Sequence, residues 1–149
     1  MCYNRNIVAA HRRSSRSLSA ARGEVMMKLT GSYLLAGASQ TSANELHKLT
    51  THTDKNVRRR VADRKRVGPD LLNRLAEDPS AEVRAAVAAN PQTNLGTLLK
   101  LADDPNPDVR FSMAEDHNLP KAILKLLAND KNTLVQWRAN MTLEHLWNC

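Results

Sequence analysis

A repeat of 26 residues organises this chain and limits what it can fold into. The stretch that begins at Leu75 recurs with related residues from Leu101 and, in the other direction, from Leu49. Two of its columns read Val57, Val83, Val109, Val135 and Leu46, Leu72, Leu98, Leu124. Self-similarity at a fixed period is the signature of a repeat architecture.

Each unit contains two short apolar segments with helical spacing. The first has Val83, Val87 and Ala88 at i, i+4 and i+5, and the second has apolar residues at i, i+3, i+4 and i+7. The members of the second set are Leu95, Leu98, Leu99 and Ala102. Both patterns place apolar side chains on one face of a helix. Neither segment is long enough to be stable alone, so stacking of neighbouring units is predicted to bury them.

Residues typical of helix ends separate these segments. Asp78-Pro79 and Asp104-Pro105 are predicted to be N-caps followed by a proline in the first turn. Asn90-Pro91 is predicted to end the preceding helix, because a residue before proline is disfavoured in the α region. Thr93-Asn94 and Gly68-Pro69 are expected to begin the next helix in their units. The sequence therefore predicts an all-α solenoid of about four and a half two-helix repeats, beginning near residues 31, 57, 83, 109 and 135.

The unit from Val83 to Pro105 resembles the leucine-rich repeat variant family of bacteria. Its Val83-Arg84, Asn90-Pro91 and Asp104-Pro105 pairs match elements of that repeat, and the turn before Val109-Arg110 also resembles HEAT repeats. The resemblance extends over about residues 31–149. It implies a right-handed superhelix and a binding scaffold with no defined enzymatic activity. Some members carry an iron–sulfur cluster in a cysteine-rich segment, which this sequence does not contain, so no cofactor is expected.

The repeat pattern is interrupted at three places. Arg64-Lys65-Arg66 and Asp116-His117-Asn118 stand where the pattern has an Asn-Pro element, and Gln136 stands in the arginine column.

Residues 1–28 do not share the repeat. They contain six basic residues and one acidic residue, whereas residues 29–149 contain 16 basic and 14 acidic residues. A disordered extension, or upstream sequence translated before a start at Met26 or Met27, is the favoured interpretation of this arginine- and serine-rich segment. A nucleic-acid- or membrane-attracted arm and a targeting segment are the alternatives.

The cysteines and the apolar runs give no sign of a membrane or of an oxidising compartment. No apolar run approaches the roughly 18 residues of a membrane span. Cys2 and Cys149 lie at the chain ends with no metal-ligand spacing, which favours a reducing cytoplasm.

Two columns of opposite charge recur once in each unit. They are Arg58, Arg84 and Arg110, and Asp78, Asp104 and Asp130. In a stack these columns are predicted to approach each other and to make charge-assisted hydrogen bonds that tie the units together. A ladder that binds a ligand is the alternative.

The densest charge in the repeats lies between Lys55 and Arg66. Its basic members are Lys55, Arg58, Arg59, Arg60, Arg64, Lys65 and Arg66. The corresponding stretch is nearly neutral after Arg84 and acidic at Glu115 and Asp116, whereas a protein that follows phosphates keeps positive charge along successive repeats. This gradient favours an unidentified protein partner bound on the face of the short Val-Arg helices. The candidate contacts are Arg59, Arg60, Arg64, Lys65, Arg66, Glu115, Asp116 and Arg138.

Nucleic-acid binding through Lys55–Arg66 and the arginine-rich tail is the alternative function, and a solvated surface is the third interpretation. Reversal of Arg59 and Arg60 to glutamate is predicted to abolish partner capture without lowering thermal stability.

Trp137 and Trp147 are expected to close the core of the last unit, with an exposed anchor for a partner as the alternative. The chain lacks metal-binding histidine pairs and glycine-rich phosphate loops, so no catalytic, metal or cofactor site is predicted.

Overall fold

A computed structural model describes residue 27 and residues 30–147 of the chain. Helices joined by short turns make up this part, and the described residues contain no strand, which confirms the predicted all-α class. A first helical segment, α1, covers residues 30–37. The other helices are α2 (Ala43–Leu49), α3 (Lys55–Ala62), α4 (Pro69–Leu75), α5 (Ala81–Ala89), α6 (Leu95–Ala102), α7 (Pro107–Glu115), α8 (Lys121–Leu127) and α9 (Thr133–Trp147). The proposed basic extension over residues 1–28, apart from residue 27, and both cysteines lie outside the described residues.

The helices stack in two rows. Helices α3, α5, α7 and α9 pack on one another in order, and α6 packs on α8 in the second row. Helices α3, α5 and α7 each also contact the even-numbered helix that follows in the chain. None of the helices described here has the length and apolar character needed to cross a membrane.

The core lies between the two rows and is built from the repeat columns. The valine column at Val57, Val83, Val109 and Val135 and the leucine column at Leu46, Leu72, Leu98 and Leu124 are both buried. Leu35 departs from its column, because 48% of it is exposed on α1. The four-residue pattern read for α6 is also partly wrong. Leu95 and Leu99 are exposed, whereas Leu98, Leu101, Ala102 and Thr97 face inward.

The caps lie two residues later than the sequence predicted in two units. The N-caps of α5 and α7 are Ser80 and Asn106, not Asp78 and Asp104. Each aspartate instead accepts a hydrogen bond from the backbone N–H two residues ahead, at 2.8 Å, and so shapes the turn before the helix. The predicted cap at Asn94 and the helix end at Asn90 are confirmed.

The last described helix differs from the others because it does not turn back. Helix α9 runs for 15 residues and packs against both α7 and α8. Residues 140–146 contain neither proline nor glycine, whereas the corresponding stretches of the three preceding units contain Gly68, Pro91 and Pro120, so nothing ends the helix at this point. Trp137 does not close the core as expected, since 56% of it is exposed. The side chain of Trp147 lies outside the described residues.

Candidate functional site

The charged columns meet in pairs. The arginine of each unit contacts the aspartate 20 residues ahead, and the pairs are Arg58–Asp78, Arg84–Asp104 and Arg110–Asp130. The Nε–Oδ2 distances are 2.6, 2.6 and 2.7 Å, and the Nη2–Oδ1 distances are 2.9, 2.8 and 3.0 Å. Two parallel hydrogen bonds to a carboxylate hold the guanidinium in one orientation. All six side chains are largely buried.

Each arginine also reaches the turn before its own helix. Nη1 of Arg84 donates to the carbonyl of Asp78 at 2.7 Å, and Nη1 of Arg110 donates to the carbonyl of Asp104. One guanidinium therefore joins two successive turns. These bonds join neighbouring units, and the six side chains are only 2–13% exposed, which leaves little of their surface for a ligand.

The pairing affects how the aspartates titrate. Burial alone would raise the pKa of Asp104, but hydrogen bonds from Arg84 and from the Asn106 N–H outweigh burial and hold this pKa below its ordinary value. The bond from Arg110 is the main cause that lowers the pKa of Asp130, and the Asn132 N–H adds to it.

The first described unit lacks this pair. His52 occupies the aspartate position, and Ser32 occupies the arginine position. His52 still shapes the turn, because its Nδ1 accepts from the N–H of Asp54 at 3.1 Å and its carbonyl accepts from Arg58 Nη1 at 2.6 Å. The 26-residue register could have identified this replacement.

A second set of contacts between units, which we call the carbonyl ladder, was not predicted. Three side chains donate to the backbone carbonyl of the residue 28 positions earlier. The bonds are Arg64 Nη1 to Ala36 (3.0 Å), Asn90 Nδ2 to Ala62 (2.6 Å) and Thr142 Oγ1 to Ala114 (2.7 Å). Arg64 and Asn90 each reach a second carbonyl, of Ala38 at 2.6 Å and of Arg64 at 2.7 Å.

Asp116 occupies the remaining position of the carbonyl ladder. Its backbone angles, φ −80° and ψ 108°, resemble those of Asn90, φ −78° and ψ 126°. Its Oδ1 accepts from the Asn118 N–H at 2.8 Å, as Oδ1 of Asn90 accepts from the Gln92 N–H at 2.8 Å. An ionised carboxylate has no hydrogen to donate. Within the described part of the chain, the Ala88 carbonyl consequently receives no side-chain hydrogen bond across the units.

The basic run is largely engaged with the protein itself. Lys55 pairs with Glu82 at 2.7 Å, and Arg59 lies 3.8 Å from Asp63. The guanidinium carbon of Arg60 lies 5.2 Å from the centre of the Tyr33 ring. With Arg58 in its buried pair and Arg64 in the carbonyl ladder, Lys65 and Arg66 are left as exposed cations that form no hydrogen bond or ion pair with described side chains.

The acidic end of the proposed contact set also has a partner. Arg138 on α9 approaches Glu115 on α7, with 3.5 Å between Nε and Oε1. The structure thus places the eight proposed contact residues in two groups, one around α3 and one around α7 and α9, separated by α5.

The surface of the odd-numbered helices, which we call the odd-helix face, joins these groups. Three of its columns are Asn56, Glu82, Asp108, Leu134; Arg59, Ala85, Phe111, Trp137; and Asp63, Ala89, Glu115, Met141. The columns are polar on α3, contain alanines on α5 and are apolar on α9. A shallow groove of about 360 Å³ runs over the alanines. It is lined by Arg59, Asp63, Glu82, Ala85, Ala86, Ala88, Ala89, Ser112, Met113 and Asp116.

The apolar end of this face is a functional candidate that the sequence reasoning missed in part. Leu134, Trp137 and Met141 are exposed by 65%, 56% and 44%. The sequence analysis offers Trp137 as a possible anchor for a partner, but it does not single out Leu134 or Met141. Their spacing of three and four residues places them on one side of α9, and that signal is visible in the sequence.

The comparison with known families identifies the central repeat. A family model described as leucine rich repeat variant matches residues 81–106, which contain α5 and α6. The resemblance read from the sequence is confirmed for this unit. No curated protein and no solved structure matches the chain.

Proposed function

We propose that this chain, whose central unit is a leucine rich repeat variant, is a non-enzymatic scaffold that binds a protein partner along the odd-helix face. The observation that carries the proposal is the cluster of Leu134, Trp137 and Met141 at one end of that face. Exposed apolar clusters edged by polar residues are typical of protein interaction sites, and tryptophan is enriched among residues that dominate binding energy.

The shape and the charge of the remaining odd-helix face are features that a protein partner can recognise. The alanine-floored groove lets a backbone approach α5 closely, and the charge changes from basic at Arg59 to acidic at Glu115 and Asp116. A partner segment with acidic residues near α3 and an apolar residue at Trp137 would complement this order. Such complementarity sets specificity and register.

The alternative, nucleic-acid binding, draws its support from Lys65 and Arg66, which are exposed in the turn after α3. The contacts of the other basic residues with Glu82, Asp63 and Asp78 weaken it, because carboxylates beside the arginines repel phosphate. No second unit continues the positive charge. A nucleic-acid binder of this kind would lose affinity steeply as salt rises.

Photo-crosslinking on the folded chain tests the proposal. A photoreactive amino acid at Ala89, in the groove, should give one dominant crosslinked protein in cells that express the chain. The same amino acid at Leu99, exposed on the second row, is the matched control and should not give it. Trp137→Ala and Arg59→Glu should each reduce the crosslink at position 89. Arg60 is left unchanged, because its contact with Tyr33 means that reversing it would disturb α1 as well as the face.

The contrary result is equally specific. Equal crosslinking from positions 89 and 99, or a crosslink that Trp137→Ala leaves intact, would rule out the odd-helix face. A salt series with labelled duplex DNA and single-stranded RNA accompanies the experiment. Binding that weakens steeply with salt and depends on Lys65 and Arg66 would replace the protein-binding proposal by the nucleic-acid alternative.

A further inference from the structure

The carbonyl ladder has a gap at Asp116, and this gap opens into a cavity. A depression of about 410 Å³ lies between the units of α5 and α7. It shares Ala88, Ala89 and Asp116 with the groove on the odd-helix face. Its other lining residues are Asn90, Pro91, Thr93, Leu98, Asn118, Leu119 and Pro120.

We infer that this cavity binds the guanidinium group of an arginine supplied by a protein partner. The inference rests on the proposed function, since it names one contact that the partner would make. It starts from the matching geometry of Asp116 and Asn90. Because the Oδ1 atoms are held by equivalent backbone amides, we place Oδ2 of Asp116 on the side where Nδ2 of Asn90 lies in the preceding unit.

The groups that meet at the gap are all acceptors. At the Asn90 position, one amide nitrogen donates to two carbonyls, of Ala62 and Arg64. At the Asp116 position, the equivalent carbonyls belong to Ala88 and Asn90, and the facing atom is a carboxylate oxygen. Three acceptor oxygens and one negative charge favour a cationic group with several hydrogen-bond donors, although the Asn90 carbonyl also accepts from the Thr93 N–H at 3.0 Å. A guanidinium has five N–H donors in a rigid plane and is always charged.

The chain already fills one position of the ladder in this way. Arg64 inserts its own guanidinium between two units, and its Nη1 donates to the carbonyls of Ala36 and Ala38 at 3.0 and 2.6 Å. A guanidinium therefore fits the ladder when an arginine reaches it. At Asp116 the protein offers the acceptors, and no described arginine donates a hydrogen bond to them.

The walls of the cavity suit the rest of an arginine side chain. Pro91, Leu98, Leu119 and Pro120 present apolar surface, against which the methylene stem can pack while the charged end contacts Asp116. Water can donate to the carbonyls, but it brings no charge and no stem. These walls and the carboxylate together favour arginine over water.

A titration followed by nuclear magnetic resonance tests the inference directly. The ¹⁵N-labelled full chain is titrated with Nα-acetyl-L-arginine methylamide at constant ionic strength. The backbone amides of Ala89, Asn118 and Leu119 should shift in a saturable way. Asp116→Asn should weaken the apparent affinity by about tenfold or more, because a charge-assisted contact is lost. Asp103→Asn removes one charge from an exposed aspartate that lines neither the cavity nor the groove, so it is the matched control and should leave the shifts in place.

Two further probes define the outcomes that overturn the inference. Nα-acetyl-L-citrulline methylamide has nearly the same shape without the charge, and tetramethylammonium has the charge without donors. Equal shifts with citrulline would show a site for neutral donors, and equal shifts with tetramethylammonium would show unspecific charge attraction. No shift with arginine would mean that water alone fills the cavity. Each of these results leaves the crosslinking test at Ala89 unaffected, so the two proposals fail separately.

The stability of two exchanged variants gives an independent readout. Asp116→Asn places a donor opposite the Ala88 carbonyl, and we expect the denaturation midpoint to rise. Asn90→Asp creates the same gap one unit earlier, and we expect the midpoint to fall and a second arginine-dependent set of shifts to appear near Arg64. A lower midpoint for Asp116→Asn would show that Asp116 does not occupy the ladder position and would overturn the inference.

Discussion

At the scale of single residues, the Arg–Asp pairs combine burial, charge and geometry. Each guanidinium makes two bonds to a carboxylate and at least one to a carbonyl in the preceding turn, so little of its bonding capacity is left unused. A buried ion pair is not in itself strong evidence of stability, because desolvation of both charges offsets their attraction. Loss of one member is costly, since the other charge then stays buried without a partner.

The Arg84–Asp104 pair allows this asymmetry to be measured. We expect Arg84→Leu to lower the free energy of unfolding by about 3–5 kcal/mol. The double variant Arg84→Leu with Asp104→Leu should recover a substantial part of that loss, because no unpaired charge remains. Urea denaturation of both variants checks this. Equal losses in the single and double variants would show that the turn contacts of Arg84, and not the ion pair, dominate.

The lowered pKa values of Asp104 and Asp130 predict the pH dependence of stability. In the unfolded chain these carboxyl groups titrate near their ordinary pKa of about 3.9, so the unfolded state binds more protons than the folded state as pH falls. Their contribution is therefore complete above that value and is lost as pH drops through the folded pKa values. Thermal unfolding across this range should show the loss, and Asp104→Asn should make the pH dependence shallower. A wild-type curve that is flat on acidification would contradict the pairing.

At the scale of helices, each short element owes its place to the column residues it buries. Helix α6 has eight residues, too few to be stable in isolation, and its stability comes from packing. Its inward side is formed by Leu98, Leu101 and Ala102, whereas Leu95 and Leu99 face outward.

Two leucines of α6 provide a matched comparison. Leu101 is 1% exposed and Leu99 is 48% exposed. We expect Leu101→Ala to destabilise the protein by about 2–5 kcal/mol through lost burial and a cavity. Leu99→Ala should change stability by about 0.5 kcal/mol or less, as surface substitutions usually do. Chemical denaturation of the two variants distinguishes them, and similar losses would mean that α6 is rotated relative to the structure.

The helices could be predicted from the sequence better than their ends. The valine and leucine columns indicated which residues are buried. When units of 26 residues stack, the equivalent apolar positions of successive helices line up and form one continuous core. Asp78 and Asp104, which precede prolines, are not the N-caps that the sequence predicts. Their carboxylates accept hydrogen bonds from the turn and from an arginine 20 residues earlier. Spacing along one helix carries no information about a bond between units.

At the scale of the whole molecule, the odd-helix face changes in character from one end to the other. The sequence predicted that this face begins with basic residues and continues with acidic ones, because the positions of charged residues are visible in the sequence itself. It could not show that Arg60 contacts Tyr33 or that Arg64 donates to carbonyls of the preceding unit, since those contacts need the stack itself. The expected burial of Trp137 is wrong, because its column is fully buried in none of these units: Ala85 and Phe111 are partly buried, and Arg59 is exposed.

The number of residues between the bonded partners of neighbouring units has a consequence for chains that gain or lose repeats. Every pair in the charged columns spans 20 residues and the carbonyl ladder spans 28, on either side of the 26-residue period. Excision of one whole period, such as residues 81–106, would leave Arg58 with Asp78 and Arg110 with Asp130, and would set Asp116 opposite the Ala62 carbonyl. Recombination between equivalent columns can thus add or remove units while each remaining unit still finds partners. Such a gene can gain or lose whole repeats, and the length of the proposed binding face changes with the number of repeats.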